Sequence, residues 1–258
     1  MQVAGLRKPG LLTLMLLLTC VGWLAHPVEP LAASEGTPQD GRLVDGFEVP
    51  IEGPNHRFFS RSAKRGTQFT TLEVAALLWR SARHVAKTSP GPRLLIGDCS
   101  LKEGGAVERH RSHRSGRDVD LLFYVEDAKG RGIESPDFLP FDGQGRCARK
   151  GCDLRLDVER NWNLLRTLIA SQRPAVQYIF VAKPIKALLL RWAKSRGEHP
   201  EILRRAEQLM RQPSDSAPHD DHLHVRTYCS STDLASGCVD VGPRWSWVDR
   251  AGRAARIR

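Results

Sequence analysis

Long apolar runs are scarce in this chain of 258 residues. The clearest one, Leu11–Ala25, spans fifteen positions, short of the roughly 20 that a membrane-spanning helix requires. No Cys-x-x-Cys occurs, which excludes a zinc-ribbon pattern. No Gly-x-Ser-x-Gly occurs either, so the strand-to-helix elbow of many serine hydrolases is missing. Internal repeats, long low-complexity tracts and a linker that would divide the chain are all lacking. Aromatic residues make up only 7%, although six tryptophans supply large pieces for a core. Acidic residues are outnumbered, 29 against 39 Lys and Arg, for a formal charge of +10. That excess suits polyanionic surroundings such as nucleic acid, anionic lipid or an anionic wall polymer, and it equally suits a solvated cationic face. The 41% hydrophobic and 26% charged content is ordinary for a globular protein, which excludes disorder throughout, collagen and a coiled-coil fibre.

Arg7 and Lys8 precede the apolar run, and small residues Ala32, Ala33 and Ser34 follow it. This order reads as a secretory signal peptide, or an uncleaved anchor, over residues 1–33. Cys20 sits in a poor lipidation context. The remaining five cysteines then meet an oxidising compartment. Cys147 with Cys152, and Cys229 with Cys238, are close enough to close small loops, which leaves Cys99 over.

Residues 34–56 read as an extended polar arm. A capping box at Thr70-Thr71-Leu72-Glu73, with Thr70 as the cap, opens a helix carrying Leu72, Ala75, Ala76, Trp79 and Ala82. Pro90, Gly91 and Pro92 end it. Strands are expected at 93–97, 118–125, 175–182 and 222–228. Further helices are expected near 158–169, from Pro184, and over 200–211. Residues 127–156 are turn-rich and read as a long excursion. Trp79, Trp162 and Trp192 belong to helical core faces, while Trp245 and Trp247 either flank a groove or, preferably, pin the end of the chain before a basic, frayed tail from Arg250. The order of elements predicts one α+β domain over residues 34–258, with a small, largely antiparallel central sheet flanked by helices.

Chemistry concentrates in two short stretches, His110-Arg-Ser-His113-Arg-Ser-Gly116-Arg-Asp118-Val-Asp120 and His219-Asp-Asp-His222-Leu-His224. Asp118 and Asp120 alternate onto one face of a strand, as do His222 and His224. If those strands are neighbours, imidazoles and carboxylates converge. Two imidazoles and a carboxylate, His113, Asp120 and His224, would make a three-ligand metal site on the sheet with one open position. Asp118 and Asp120 have a plainer reading as arginine partners.

The residues Leu95-Ile-Gly-Asp98, Gly104-Gly105, His110-x-x-His113-x-x-Gly116-x-x-x-Asp120, Tyr178-Ile-Phe-Val181, Pro184-Ile-Lys and His219-x-x-His222-x-His224-Val-Arg226 resemble the penicillin-insensitive murein endopeptidases. These are related to lysostaphin, the D-Ala-D-Ala metallopeptidases and the hedgehog domain. The resemblance spans roughly residues 40–240. It implies one Zn²⁺ held by His113, Asp120 and His224, with His222 catalytic. It implies that His110 and His219 line the cleft or contact metal. Asp142 is the nearest counterpart of a family Asp-x-x-His pair but lacks the histidine, which argues against a second zinc. Asp221 resembles the acid of a Glu-x-x-His pattern and reads as a base or, preferably, as a solvated charge.

The implied reaction is hydrolysis of D-alanyl–meso-diaminopimelyl cross-links in peptidoglycan. Arg109, Arg111, Arg114 and Arg117 crowd the first stretch and Arg226 flanks the second. Arg114 and Arg226 are the candidates for binding a substrate carboxylate. The implied location is outside the cytoplasm, periplasmic rather than secreted or lipid-anchored, with membrane contact only through the N-terminal segment. No nucleic-acid recognition motif accompanies the basic charge. The competing reading is a non-catalytic wall- or partner-binding module of the same fold.

Overall fold

The computed structural model describes residues 32–214 and 216–248. The leader run at Leu11–Ala25 and the basic tail from Arg250 lie outside the described residues. The central sheet has six strands: β1 (His56–Phe58), β2 (Leu94–Ile96), β3 (Asp118–Leu122), β4 (Val176–Phe180), β5 (Met210–Arg211) and β6 (His222–Thr227). Their spatial order is β5-β4-β6-β3-β2-β1. The three inner pairings are antiparallel, whereas the two edge strands pair in parallel, so the sheet is mixed.

Four helices complete the frame: α1 (Leu72–Thr88), α2 (Val158–Ala170), α3 (Lys183–Ser195) and α4 (Pro200–Leu209). Each starts where local chemistry supplies a partner for a free backbone amide or removes the need for one. Asp157 accepts from the Arg160 amide at the start of α2. Pro184 and Pro200 occupy first-turn positions of α3 and α4, where a proline costs no hydrogen bond. The cap of α1 is Thr71, which accepts from the Val74 amide, and not Thr70. Thr70 instead donates its hydroxyl to the Gly116 carbonyl at 2.6 Å, tying the helix entry to the loop before β3.

Alternation along β3 and β6 sorts the molecule into layers. Val119, Leu121, Leu223 and Val225, with Ile179 of β4, face one way into the main core. Val74, Leu78 and Val85 of α1 and Leu164, Leu165 and Leu168 of α2 pack there. The opposite face carries Asp118, Asp120, His224 and Arg226, and the register pairs His224 with Asp120 and Arg226 with Asp118.

Two regions are more ordered than the sequence suggested. The N-terminal arm forms a hairpin, Ala33–Gly36 against Gly41–Val44, so the expected boundary after residue 33 falls inside a strand. Its Ser34 amide donates to the Asp233 carboxylate at 2.7 Å. The excursion before α2 contains a three-stranded sheet of Val125–Glu126, Gly132–Ile133 and Arg155–Leu156. Its disulfide joins Cys147 to Cys152, and a second joins Cys229 to Cys238, leaving Cys99 free and buried. Trp162 is buried in the core. Trp245 donates its indole N–H to the Gln177 carbonyl at 2.8 Å and stacks on Trp247, pinning the C-terminal segment to β4. No helix among the described residues is long and apolar enough to cross a membrane.

Candidate metal centre and active site

Five histidines and four aspartates meet around the polar face of β3 and β6. His113 reaches it from the loop before β3, in a left-handed backbone conformation (φ 69°) that histidine adopts rarely. His219 does the same from the loop before β6, at φ 55°. Gly116 (φ 75°) gives the turn between His113 and the strand, and a Cβ there would collide with Leu43. Gly97 lets β2 approach closely, because a Cβ at that position would press on Asp120 and Phe138.

Hydrogen bonds fix which nitrogen of each imidazole faces the centre. His113 is fully buried and donates from Nδ1 to the Cys99 carbonyl at 2.7 Å, which leaves the lone pair on Nε2. His224 donates from Nε2 to Asp118 Oδ1 at 2.8 Å, which leaves the lone pair on Nδ1. Those two lone-pair atoms are 3.4 Å apart. Asp120 Oδ1 lies 3.3 Å from His113 Nε2 and 3.2 Å from His224 Nδ1. It is also buried with no hydrogen-bond partner.

Tetrahedral coordination with bonds of about 2.0–2.1 Å sets ligand atoms about 3.3–3.4 Å apart. The triangle of His113, Asp120 and His224, with edges of 3.2, 3.3 and 3.4 Å, comes close to that spacing on all three sides. An orphaned buried carboxylate oxygen facing two imidazole lone pairs is the donor arrangement of a divalent metal site. The supporting contacts are equally complete. Asp118 accepts from His224, from Arg226 Nε at 2.7 Å and from the His113 amide at 3.2 Å. A histidine ligand held by a carboxylate in this way is oriented and made more basic.

His222 stands beside the triangle, with Nε2 3.4 Å from Asp120 Oδ1 and Nδ1 2.6 Å from Asp221 Oδ1. Burial works against a charged His222, but Asp120, followed by Asp221, pushes its pKa up to about 10. Burial likewise opposes charge on His113, and Asp120 holds that imidazole above the ordinary histidine value. Asp120 is itself buried, yet His113 and His222 keep its pKa well below the usual carboxylate range. His219 moves the other way, down to about 4, through burial and its neighbours His224 and His222.

His110 completes the cluster from the side of β2. Its Nε2 is 3.0 Å from Asp98 Oδ2 and its Nδ1 is 3.8 Å from Asp120 Oδ2. Asp98 is buried and also accepts from Thr67 Oγ1 at 2.6 Å and Arg65 Nη2 at 2.5 Å. Potential ligand atoms of His110, His113 and Asp120 come within 4.8 Å of one another, as do those of His219, His222 and His224.

Other candidates fall elsewhere. Asp142 pairs with Arg146 and accepts from the Gln144 and Arg146 amides, apart from the histidine cluster. Arg226 is buried and spends its Nε on Asp118, so it braces the site from behind. Arg117 is buried too, binding Asp240, the Thr227 and Val239 carbonyls and Ser34. Arg114 differs, because its Nε is buried with no hydrogen-bond partner. Asp221 is not merely solvated, since it orients His222. Asp118 and Asp98, which hold His224 and His110, were visible in the sequence only as acids near histidines. Phe138, packed edge-on against His222, gave no sequence signal at all.

A two-histidine, one-carboxylate triangle on an α+β sheet, with a further histidine beside it, is compatible with a bound divalent metal ion. The chain belongs to the penicillin-insensitive murein endopeptidase family, whose profile matches residues 34–244. It is similar to a penicillin-insensitive murein endopeptidase of Pectobacterium atrosepticum, 28% identical over 212 residues, covering 82% of this chain and 70% of that one. Proteins of the same description from Salmonella paratyphi B and Salmonella newport are 26% identical over 215 residues, covering 82% of this chain and 72% of theirs.

Proposed function

We propose that the chain is a zinc-dependent peptidoglycan hydrolase that cuts D-alanyl–meso-diaminopimelyl cross-links outside the cytoplasm. The observation that carries this reading is the triangle of His113 Nε2, Asp120 Oδ1 and His224 Nδ1, with edges of 3.2–3.4 Å. Membership of a murein endopeptidase family supports the substrate. The two disulfides, with a leader-like segment at residues 1–33, support export and a periplasmic location.

His113, Asp120 and His224 would hold the ion. When bound, zinc supplies Lewis acidity and draws the pKa of a coordinated water toward about 7. Asp221 keeps the Nδ1–H of His222 in place, so Nε2 is the atom that exchanges protons with water and with the leaving amine. Asp120 and Asp221 favour the protonated form of His222 in the metal-free chain, and a cation held beside Asp120 would oppose that charge and favour the neutral form that a base needs. Arg114, one residue after His113, is the remaining candidate for pairing a substrate carboxylate through its guanidinium. Phe138 walls the cleft beside His222.

The test uses the full chain, His222→Ala and His224→Ala. Zinc is quantified and digestion of cross-linked muropeptide dimers is followed by mass. The reading expects about one zinc per chain, lost in His224→Ala but kept in His222→Ala, with dimers converted to monomers by the wild type alone. Bound zinc with no cleavage, or no zinc at all, overturns it in favour of a binding module.

A further inference from the structure

The far side of the molecule carries a second concentration of charge, unconnected with the histidine cluster. On α1, Arg80, Arg83, His84 and Lys87 recur at the i, i+3, i+4, i+7 spacing that lines up one helix face. The apolar face of the same helix, with Leu78, Ala82 and Val85, is buried against the sheet. The basic stripe therefore points out of the helix layer, on the side of the sheet opposite the metal triangle. It borders a groove of about 570 Å³ between α1 and the C-terminal end of α2, where Arg166, Thr167 and Ser171 form the other bank.

No carboxylate lines this groove. Arg166 shares Glu198, at 3.1 Å, and Arg80 donates to the Arg173 carbonyl at 2.7 Å. Arg83 and Lys87 are exposed, and among the described residues neither makes an ion pair or side-chain hydrogen bond. Arg80 and Arg83 also line an adjoining hollow of about 540 Å³ that runs toward Trp79 and Pro54, where Glu52 is the single acid. Two hollows that share a pair of arginines make a track, and a track suits an extended polyanion better than a single small ion. Among the described residues, the large exposed apolar side chains Ile51, Leu72, Leu234, Val239 and Val241 line neither hollow, so charge rather than exposed apolar surface dominates the track.

We propose that this cationic track is a second binding site, which holds stem-peptide carboxylates of intact peptidoglycan away from the cleavage site. The assignment of the polymer rests on the murein reading above. Guanidinium groups pair with carboxylates in two-point fashion, and a row of them along a groove recognises a row of acids. The consequence is retention: the enzyme stays on the polymer between cuts while the histidine face works on a neighbouring cross-link.

The experiment compares the full chain with Arg83→Glu/Lys87→Glu, both also carrying His222→Ala so that digestion does not blur the reading. Each is sedimented with insoluble sacculi over a salt series. The expected result is at least about a tenfold loss of sacculus binding by the charge-reversed variant at low salt, narrowing as salt screens the contact. Circular dichroism confirms that the variant folds. Amidation of the sacculus carboxylates should abolish the difference between the two proteins. Equal binding overturns the proposal, as does a difference that survives amidation. Stronger and equally variant-sensitive uptake by vesicles of anionic phospholipid, with no uptake by sacculi, also overturns it and points to a membrane surface. Cleavage of soluble dimers by the chain with His222 intact is measured separately. Cleavage without a binding difference would sink the track and leave the enzyme standing. A binding difference without cleavage would do the reverse.

Discussion

The two faces of the β3–β6 pair are shut off from water almost equally. Val119, Leu121, Leu223 and Val225 on one side are 0–1% exposed, and Asp118, Asp120, His224 and Arg226 on the other are 0–6% exposed. Equal burial has opposite energetic meaning on the two sides. Removing apolar carbon from water stabilises the fold by about 25 cal/mol per Å². Removing carboxylates and imidazoles from water costs free energy unless each finds a partner. The polar face finds most of them through Asp118, Cys99 and Arg226 but leaves Asp120 Oδ1 without one. The core face is built for stability, and the other keeps an unpaired buried carboxylate oxygen that the proposed zinc ion would satisfy.

The sharpest way to break this comparison is Asp120→Asn. Metal should be lost and muropeptide cleavage should fall on the order of a thousandfold or more. The metal-free variant should also lose the stabilisation that protonated His222 and His113 draw from Asp120, offset in part by the lower cost of burying a neutral amide, so its melts should vary less with pH between 6 and 10 than those of the metal-free wild type. Elemental analysis, turnover and thermal melts report the three effects. Full retention of metal by Asp120→Asn would show that Asp120 supports the fold rather than the ion. Leu223→Ala is the mirror experiment on the other face. It should destabilise by about 2–5 kcal/mol, read by denaturant titration, while the folded fraction keeps its zinc and its activity.

Asp118→Asn probes the polar face one step behind the ligands. It weakens the acceptor for His224 Nε2–H and leaves Arg226 without its full counter-charge. The expected loss is about 10–100-fold in metal affinity, measured by competition with a chelating dye. The protonation of His222 sharpens the same contrast. Its folded pKa of about 10 lies above the unfolded value of about 6.5. Its contribution to the stability of the metal-free chain is therefore fully present below about pH 6.5 and is lost as pH rises toward 10. Melts of the metal-free chain from pH 6 to 10 should fall with pH. Zinc-loaded chain should show a flatter profile, because the ion and not a proton then satisfies Asp120.

How much of this was readable in the sequence follows from which patterns are periodic. Val119, Leu121, Leu223 and Val225 alternate with acids and histidines, so both strands and both faces could be read from position alone. The helical stripes of α1 and α2 were equally plain. Strands of two to four residues, such as Val125–Glu126 and Ala33–Gly36, carry too short a pattern to announce themselves. The cap of α1 was displaced by one residue because adjacent threonines offer the same hydroxyl, and only the Gly116 carbonyl decides between them. At the site, ligand types and spacing were legible, whereas allegiance was not. Arg226 looked available until the register set it opposite Asp118. The cationic track joins two helices distant in the chain, and no local motif marks such a pairing.

Asp142 supplies the smallest effect and a control for the whole comparison. It is an acid of the same general neighbourhood in sequence, yet its partners are its own turn: the Gln144 and Arg146 amides and the Arg146 guanidinium four residues on. Its carboxyl is held below the usual range against the pull of burial, chiefly by the Arg146 contacts, and the pair is substantially exposed. Exposed ion pairs of this kind contribute about 0–1 kcal/mol. Asp142→Ala should therefore leave zinc content and cleavage unchanged and shift the unfolding midpoint by no more than that. Loss of metal in this variant would mean that the excursion reaches the centre after all, and that the unmet demand on the polar face extends beyond Asp120.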